Sequence, residues 1–123
     1  MTRPVLHAQS ATMLTVNTAP VVSADQWSEW QLIFWLGDAF DYQTPFRAAL
    51  DEIAFTLAQS KPTTIDLPDF AEGEDFVEGH LSFGGTTVSI YYEHSLGYLT
   101  LSNQDRRPLD EIEALTRPVT QVR

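Results

Sequence analysis

The sequence predicts an α+β domain: an antiparallel β-meander over about residues 77–102, with helices packed on one of its faces. Three observations predict it. Apolar residues recur at helical spacing from Phe46 to Leu57, alternate strictly from Val77 to Tyr92, and return to helical spacing after Pro108. Helices and strands in separate runs make α+β the expected class. At 123 residues, residues 1–123 read as one domain around one core.

Residues 1–22 carry weak alternation, which suggests an extended segment near Met13 to Val16. Ser23-Ala24-Asp25-Gln26 has the form of a capping box, with Ser23 as N-cap and Gln26 three residues on. A helix from Ala24 to Leu36 would then set Trp27, Trp30, Ile33 and Phe34 on one face, closed by Gly37. The rival reading makes Leu32 to Leu36 a buried strand, since a short apolar run does not separate the two. Thr44-Pro45 is a stronger start signal, a capping residue followed by Pro at the first helical position. Phe46, Ala49, Leu50, Ile53, Ala54 and Leu57 follow at helical spacing, and Lys61-Pro62 ends the run.

Residues 61–78 set Lys61 against Asp66, Asp69, Glu72, Glu74, Asp75 and Glu78. Pro68 and Gly73 argue against a long regular element, so the segment reads as an acidic loop with a short strand at Thr64 to Leu67. Gly84-Gly85 is a two-residue hairpin turn. It pairs Phe83 with Thr86, Leu81 with Val88, Gly79 with Ile90 and Val77 with Tyr92, all on one face. His94 to Gly97 form a second turn, and Tyr98 to Ser102 a third strand with Leu99 and Leu101 inward. Pro108 opens a last helix that buries Leu109, Ile112 and Leu115.

Charge narrows the function. Asp and Glu number 17 against 7 Lys and Arg, a net charge of −10. Such a surface repels phosphate backbones and steers basic proteins into encounter. Nucleic-acid binding is therefore not expected, since Arg106-Arg107 is the only basic pair. Aromatics at 11% set the chain apart from a disordered acidic tail. It has no cysteine, which excludes disulfides and thiolate metal sites. Met1-Thr2-Arg3-Pro4 opens no secretory signal, and the apolar run Leu32 to Leu36 is far below the ~20 residues of a membrane helix. A cytoplasmic protein without membrane contact is expected.

No sequence pattern supports catalysis. His7, His80 and His94 lack metal-ligand spacing. Glu93-His94 is the one suggestive dyad, but neighbours on a strand point to opposite faces, so His94 reads as a turn histidine. Acidic pairs such as Asp51-Glu52 follow from composition. A calcium loop lacks its DxDxDG spacing, and no Walker, dinucleotide or GxSxG motif occurs. The chain is expected to be no enzyme and to hold no cofactor or metal.

Protein recognition is left. Trp27, Trp30 and Trp35 are followed by Phe40 and Tyr42, with Asp38 and Asp41 between them. Aromatics anchor interfaces, and flanking carboxylates pair with a partner's Lys or Arg. Most of these rings are expected in the core, with Trp27 or Trp35 at its rim. The candidate partner-binding residues are Asp69, Glu72, Glu74, Asp75, Glu78, Asp38, Asp41, Trp27 and Trp35; a merely solvated loop is the alternative for the acidic run.

From Glu78 to Leu115 the chain resembles small immunity proteins of bacterial polymorphic toxin systems, including those of contact-dependent growth inhibition. The residues that carry the resemblance are Glu78-Gly79-His80-Leu81-Ser82-Phe83-Gly84-Gly85 and Ser89-Ile90-Tyr91-Tyr92-Glu93-His94-Ser95-Leu96-Gly97-Tyr98-Leu99. The resemblance implies a cytoplasmic, non-enzymatic protein that binds one cognate toxin tightly. Many such toxins are nucleases with a basic substrate site, for which an acidic inhibitor competes. A monomer is expected in preference to a dimer. Two alternatives stand beside it: a secretion chaperone holding an effector segment as a dimer, and a small enzyme or ligand-binding domain with a pocket around His94 or the tryptophans.

Overall fold

A computed structural model describes residues 14–25, 29–37 and 46–123. Eleven elements follow along these residues. Strands β1 (Leu14–Val16), β2 (Val22–Ala24) and β3 (Trp30–Trp35) precede helix α1 (Phe46–Ala58). Strands β4 (Thr63–Asp66), β5 (Phe76–Phe83), β6 (Thr86–Glu93) and β7 (Tyr98–Asn103) come next. Helix α2 (Arg106–Thr116), a 3₁₀ turn (Arg117–Val119) and β8 (Thr120–Val122) complete them. Six strands form one sheet in the order β2-β3-β7-β6-β5-β4, antiparallel throughout, with both described helices on one side. The fold is α+β, as the periodicity predicts.

The meander has the expected register. Phe83 faces Thr86, Leu81 faces Val88, Gly79 faces Ile90 and Val77 faces Tyr92. Gly84 and Gly85 take φ of 58° and 88°, a region that strains any residue with a Cβ. Leu99 and Leu101 of β7 are fully buried beside Ile90 and Tyr92. Helix α1 buries Phe46, Leu50, Ile53 and Leu57 at the expected spacing; its proposed start at Thr44-Pro45 lies outside the described residues. Phe46 stacks on Tyr92 with ring centroids 4.1 Å apart.

The helix expected over Ala24 to Leu36 does not form. Val22–Ala24 and Trp30–Trp35 are strands, paired so that Ser23 faces Gln31. Ser23 therefore caps nothing. Burial alternates along β3: Leu32 and Phe34 are fully buried, and the residues between them face the other way. Strand β3 pairs with all six residues of β7, and that ladder outweighs the local capping pattern. Asp25 closes the hairpin instead: its N–H donates to Glu29 O, and its Oδ1 accepts from the Glu29 N–H. Gln26 lies outside the described residues. Two boundaries also move. The short strand is Thr63–Asp66, and α2 begins at Arg106, where Asp105 caps it by accepting from the Arg107 N–H at 3.0 Å. Pro108 thus sits inside the first turn, where its missing N–H leaves no bond unmade.

Strands β1 and β8 pair in parallel, Leu14 opposite Thr120 and Val16 opposite Val122. Leu14 and Val16 are buried in the main core. Arg123 seals the pair: its side chain donates to Asn17 Oδ1 and to Leu36 O.

Gly79 sits on the inner face of β5 because the chain leaving β4 crosses it. A Cβ there would lie 2.4 Å from Asp66 O and 2.5 Å from Leu67 Cδ2. Gly79→Ala should therefore destabilise the fold by about 1–3 kcal/mol, read as a lower urea midpoint. An unchanged midpoint would show that the Leu67 crossing yields freely.

Candidate functional site

A strand alternates its side chains, so a sheet covered by helices on one face shows its other set of residues opposite them. The register places those residues in rows. One row runs Trp35, Tyr98, Glu93, Phe76 across β3, β7, β6 and β5. The next runs Ile33, Thr100, Tyr91, Glu78, and a third Gln31, Ser102, Ser89, His80, Asp66. Four aromatic side chains and two carboxylates thus share one end of a face that neither described helix covers.

The rings on this face pack on one another. Trp35 and Tyr98 meet edge to face at 4.6 Å. Phe76 and Tyr91 stack with centroids 5.8 Å apart, and Phe76 stays 52% exposed. Glu93 is held in place from both sides: Tyr91 Oη donates to its Oε1 at 2.6 Å, and Ser95 Oγ donates to its Oε2. Those bonds from Ser95 and Tyr91 hold the Glu93 carboxyl below the ordinary range. Desolvation, with the carboxylates of Glu93 and Glu78 nearby, pushes the Tyr91 phenol up to about 12.

The acidic segment divides. Asp69, Glu72, Asp75 and Glu78 are exposed. Glu74 turns inward, its side chain only 10% exposed. Arg47 Nη1 and His94 Nε2 each donate to its Oε2 at 3.1 Å, and the Ala71 N–H donates to its Oε1 at 3.3 Å. Arg47 Nη2 also donates to Pro68 O, while the His94 N–H donates to Asp75 O. Glu74 therefore pins the loop to α1 and to the β6–β7 turn. Desolvation works to raise its pKa, but the bonds from Arg47, His94 and Ala71 outweigh it and hold the carboxyl below its ordinary value.

Trp35, the expected rim aromatic, and Glu78 thus share the open face. Trp27, Asp38 and Asp41 lie outside the described residues. Phe76, Tyr91, Tyr98 and Glu93 are not among the candidate partner-binding residues, although the alternation contains them: if Val77, Ile90 and Tyr92 point inward, Phe76 and Tyr91 must point out. His94 and Glu93 do face opposite ways. His94 is buried, edge-on to Phe46 and Tyr92, away from the open face.

Two concavities flank these features. A groove of about 360 Å³ is lined by Asp66, Pro68, Glu78, His80 and Ser89, next to the aromatic rows. Another, of about 350 Å³, lies under Phe70, Gly73, Glu74, Asp75 and His94. Among the described residues no three His, Asp or Glu side chains are placed to hold a metal ion, and no helix is long and apolar enough to cross a membrane. What the geometry defines is an α+β domain with an aromatic, carboxylate-bearing open sheet face. No family model, curated protein or solved structure matches the chain.

The depressed pKa of Glu74 gives stability that is present above its ordinary value of 4.5 and lost as pH falls through the folded value. Glu74→Gln should accordingly be less stable than the parent at neutral pH, with the gap narrowing below about pH 4.5. A gap that stays constant through acid would remove Glu74 as the clip. On the open face, Glu93→Gln should move the alkaline step of Tyr91 from about 12 back toward 10.0, followed by tyrosinate absorbance with Tyr91→Phe as reference. An unmoved step would mean that Glu93 does not hold that proton.

Proposed function

We propose that this chain is an inhibitor of the immunity type, which captures the basic surface of a toxin domain on the open face of its sheet. The observation that carries the reading is that face itself: Trp35, Phe76, Tyr91 and Tyr98 in contiguous rows with Glu78 and Glu93. Strands of six to eight residues in the centre of a six-stranded sheet give a surface on the order of 500 Å². That suits a protein partner better than a small ligand, which needs a concavity. Aromatic side chains supply the anchoring area of an interface, and complementary charge supplies approach rate and selectivity. A toxin that acts on nucleic acid carries the cationic surface that a net charge of −10 attracts.

An open apolar sheet face is also what a dimeric secretion chaperone requires. Charge counts against two copies meeting here. Each would bring Glu78, Glu93 and a net charge of −10 to the other, and like charges in an interface are costly. A basic partner relieves that repulsion.

Capture of a basic toxin domain by the tagged chain, followed by co-expression with that toxin, tests the proposal. The chain should protect growth and bind the toxin one to one. Trp35→Ala with Tyr98→Ala should weaken binding about 30-fold or more, at the level of an interface hot spot, while the unfolded fraction stays negligible. Asp51→Lys, on the exposed side of α1, should leave protection intact. Equal protection by the sheet-face variant would move the interface elsewhere. A stable dimer that binds no toxin would favour the chaperone.

A further inference from the structure

Twice this molecule sets one of its own arginines between an aromatic ring and a carboxylate. Arg47 lies 4.8 Å from the centre of the Phe46 ring and 5.8 Å from that of Phe70, while it pairs with Glu74. Arg106 lies 4.8 Å from the Trp30 ring centre, and its Nε donates to both oxygens of Asp110 at 3.1 Å. A guanidinium suits both neighbours at once: its flat face stacks on the ring, and its edge donates to the carboxylate.

The open face presents the ring and the carboxylate without the arginine. Glu93 stands between Tyr98 and Phe76 on the neighbouring strands, and Glu78 stands opposite Tyr91 one row further along. Among the described residues, none of the side chains on this face is Lys or Arg; His80, opposite Asp66 and Ser89, is its one basic group. Glu93 is also oriented in advance. Tyr91 and Ser95 each occupy one of its oxygens, and a carboxylate has about four acceptor positions. Each oxygen keeps room for one more donor, which is the demand of a two-pronged guanidinium.

The geometry points to Glu93, flanked by Tyr98 and Phe76, as the seat for an arginine side chain of a basic protein partner. This deepens the proposed function and rests on the reading of the open face as the partner site. Arginine is selected over lysine because an ammonium carries the charge but lacks the plane that stacks and the fork that donates twice.

A capped Gly-Arg-Gly-Arg-Gly peptide and its lysine counterpart, titrated into the isotope-labelled full chain and followed by NMR, test the inference. The arginine peptide should shift amides of β5, β6 and β7 around Phe76, Tyr91, Glu93 and Tyr98. The lysine peptide should bind about fivefold more weakly. Glu93→Gln, a change at a half-buried carboxylate, should bring the arginine peptide down to the lysine level while the free variant keeps the amide spectrum of the folded chain. Equal binding of the two peptides, shifts confined to the 67–75 loop, indifference to Glu93→Gln, or no response at millimolar peptide would each overturn the arginine seat. The two readings fail separately. Toxin protection that depends on Trp35 and Tyr98, with no arginine selectivity, keeps the inhibitor and removes the seat. Arginine-selective shifts on this face without any protection keep the seat and remove the inhibitor.

Discussion

The turn at Gly84 and Gly85 decides which side chains of β5 and β6 point inward, because a two-residue loop admits one register for the strands it joins. A slip of one residue would carry Val77, Leu81, Val88 and Ile90 to the outside and bring Glu78, His80, Ser89 and Tyr91 into the core. The turn also positions the sheet edge: the Gly84 N–H donates to Pro62 O at 2.9 Å, at the entry to β4. Strand β7 takes its register from β6, and β3 takes its own from β7. The buried layer under the helices and the open rows on the far face are therefore two results of one constraint. Packing energy selects the inner set, and the outer set is carried along with it.

That dependence explains what could be read from the residues alone. The alternation from Val77 to Tyr92 and the glycine pair state the hairpin in local terms, and α1 is equally local in its apolar stripe. Strand β3 is different. Trp27, Trp30, Ile33 and Phe34 fit a helical face, and Ser23 with Gln26 imitates a cap. What overrules them is a ladder with β7, nearly seventy residues along the chain, which no local pattern records. The candidate site was legible in the same divided way. Trp35 could be singled out as a rim aromatic, while Phe76, Tyr91 and Tyr98 were hidden in the polar half of the alternation. The inward turn of Glu74 was not legible at all, since its partners Arg47 and His94 stand 27 and 20 residues away.

Acidic side chains serve two purposes in this fold. Glu74 spends its charge internally, holding a proline- and glycine-containing loop against α1 and the β6–β7 turn. With that loop anchored, Asp69 and Glu72 project from a fixed backbone rather than from a free tether. Glu78 and Glu93 belong to the sheet, whose hydrogen-bonded frame fixes their spacing. A surface rich in carboxylates repels itself; here part of that repulsion is met by the chain's own cations, half-buried Arg47 and exposed Arg107 and Arg117. The open face has no such neighbour among the described residues, so its charge is left to act on whatever approaches.

The pairing of β1 with β8 has a consequence for the order in which the chain can be assembled. Synthesis starts from the side of Leu14 and Val16, yet their hydrogen-bonding partners, Thr120 to Val122, emerge about a hundred residues later. Until then two residues of the core have no strand beside them. Closing so long a loop costs chain entropy that grows only slowly with length, so the join is affordable, but it is necessarily late. The six-stranded sheet can pair completely without it. Docking of β8 beside β1, fastened by Arg123 on Asn17 and Leu36, then gives Leu14 and Val16 the strand they lack.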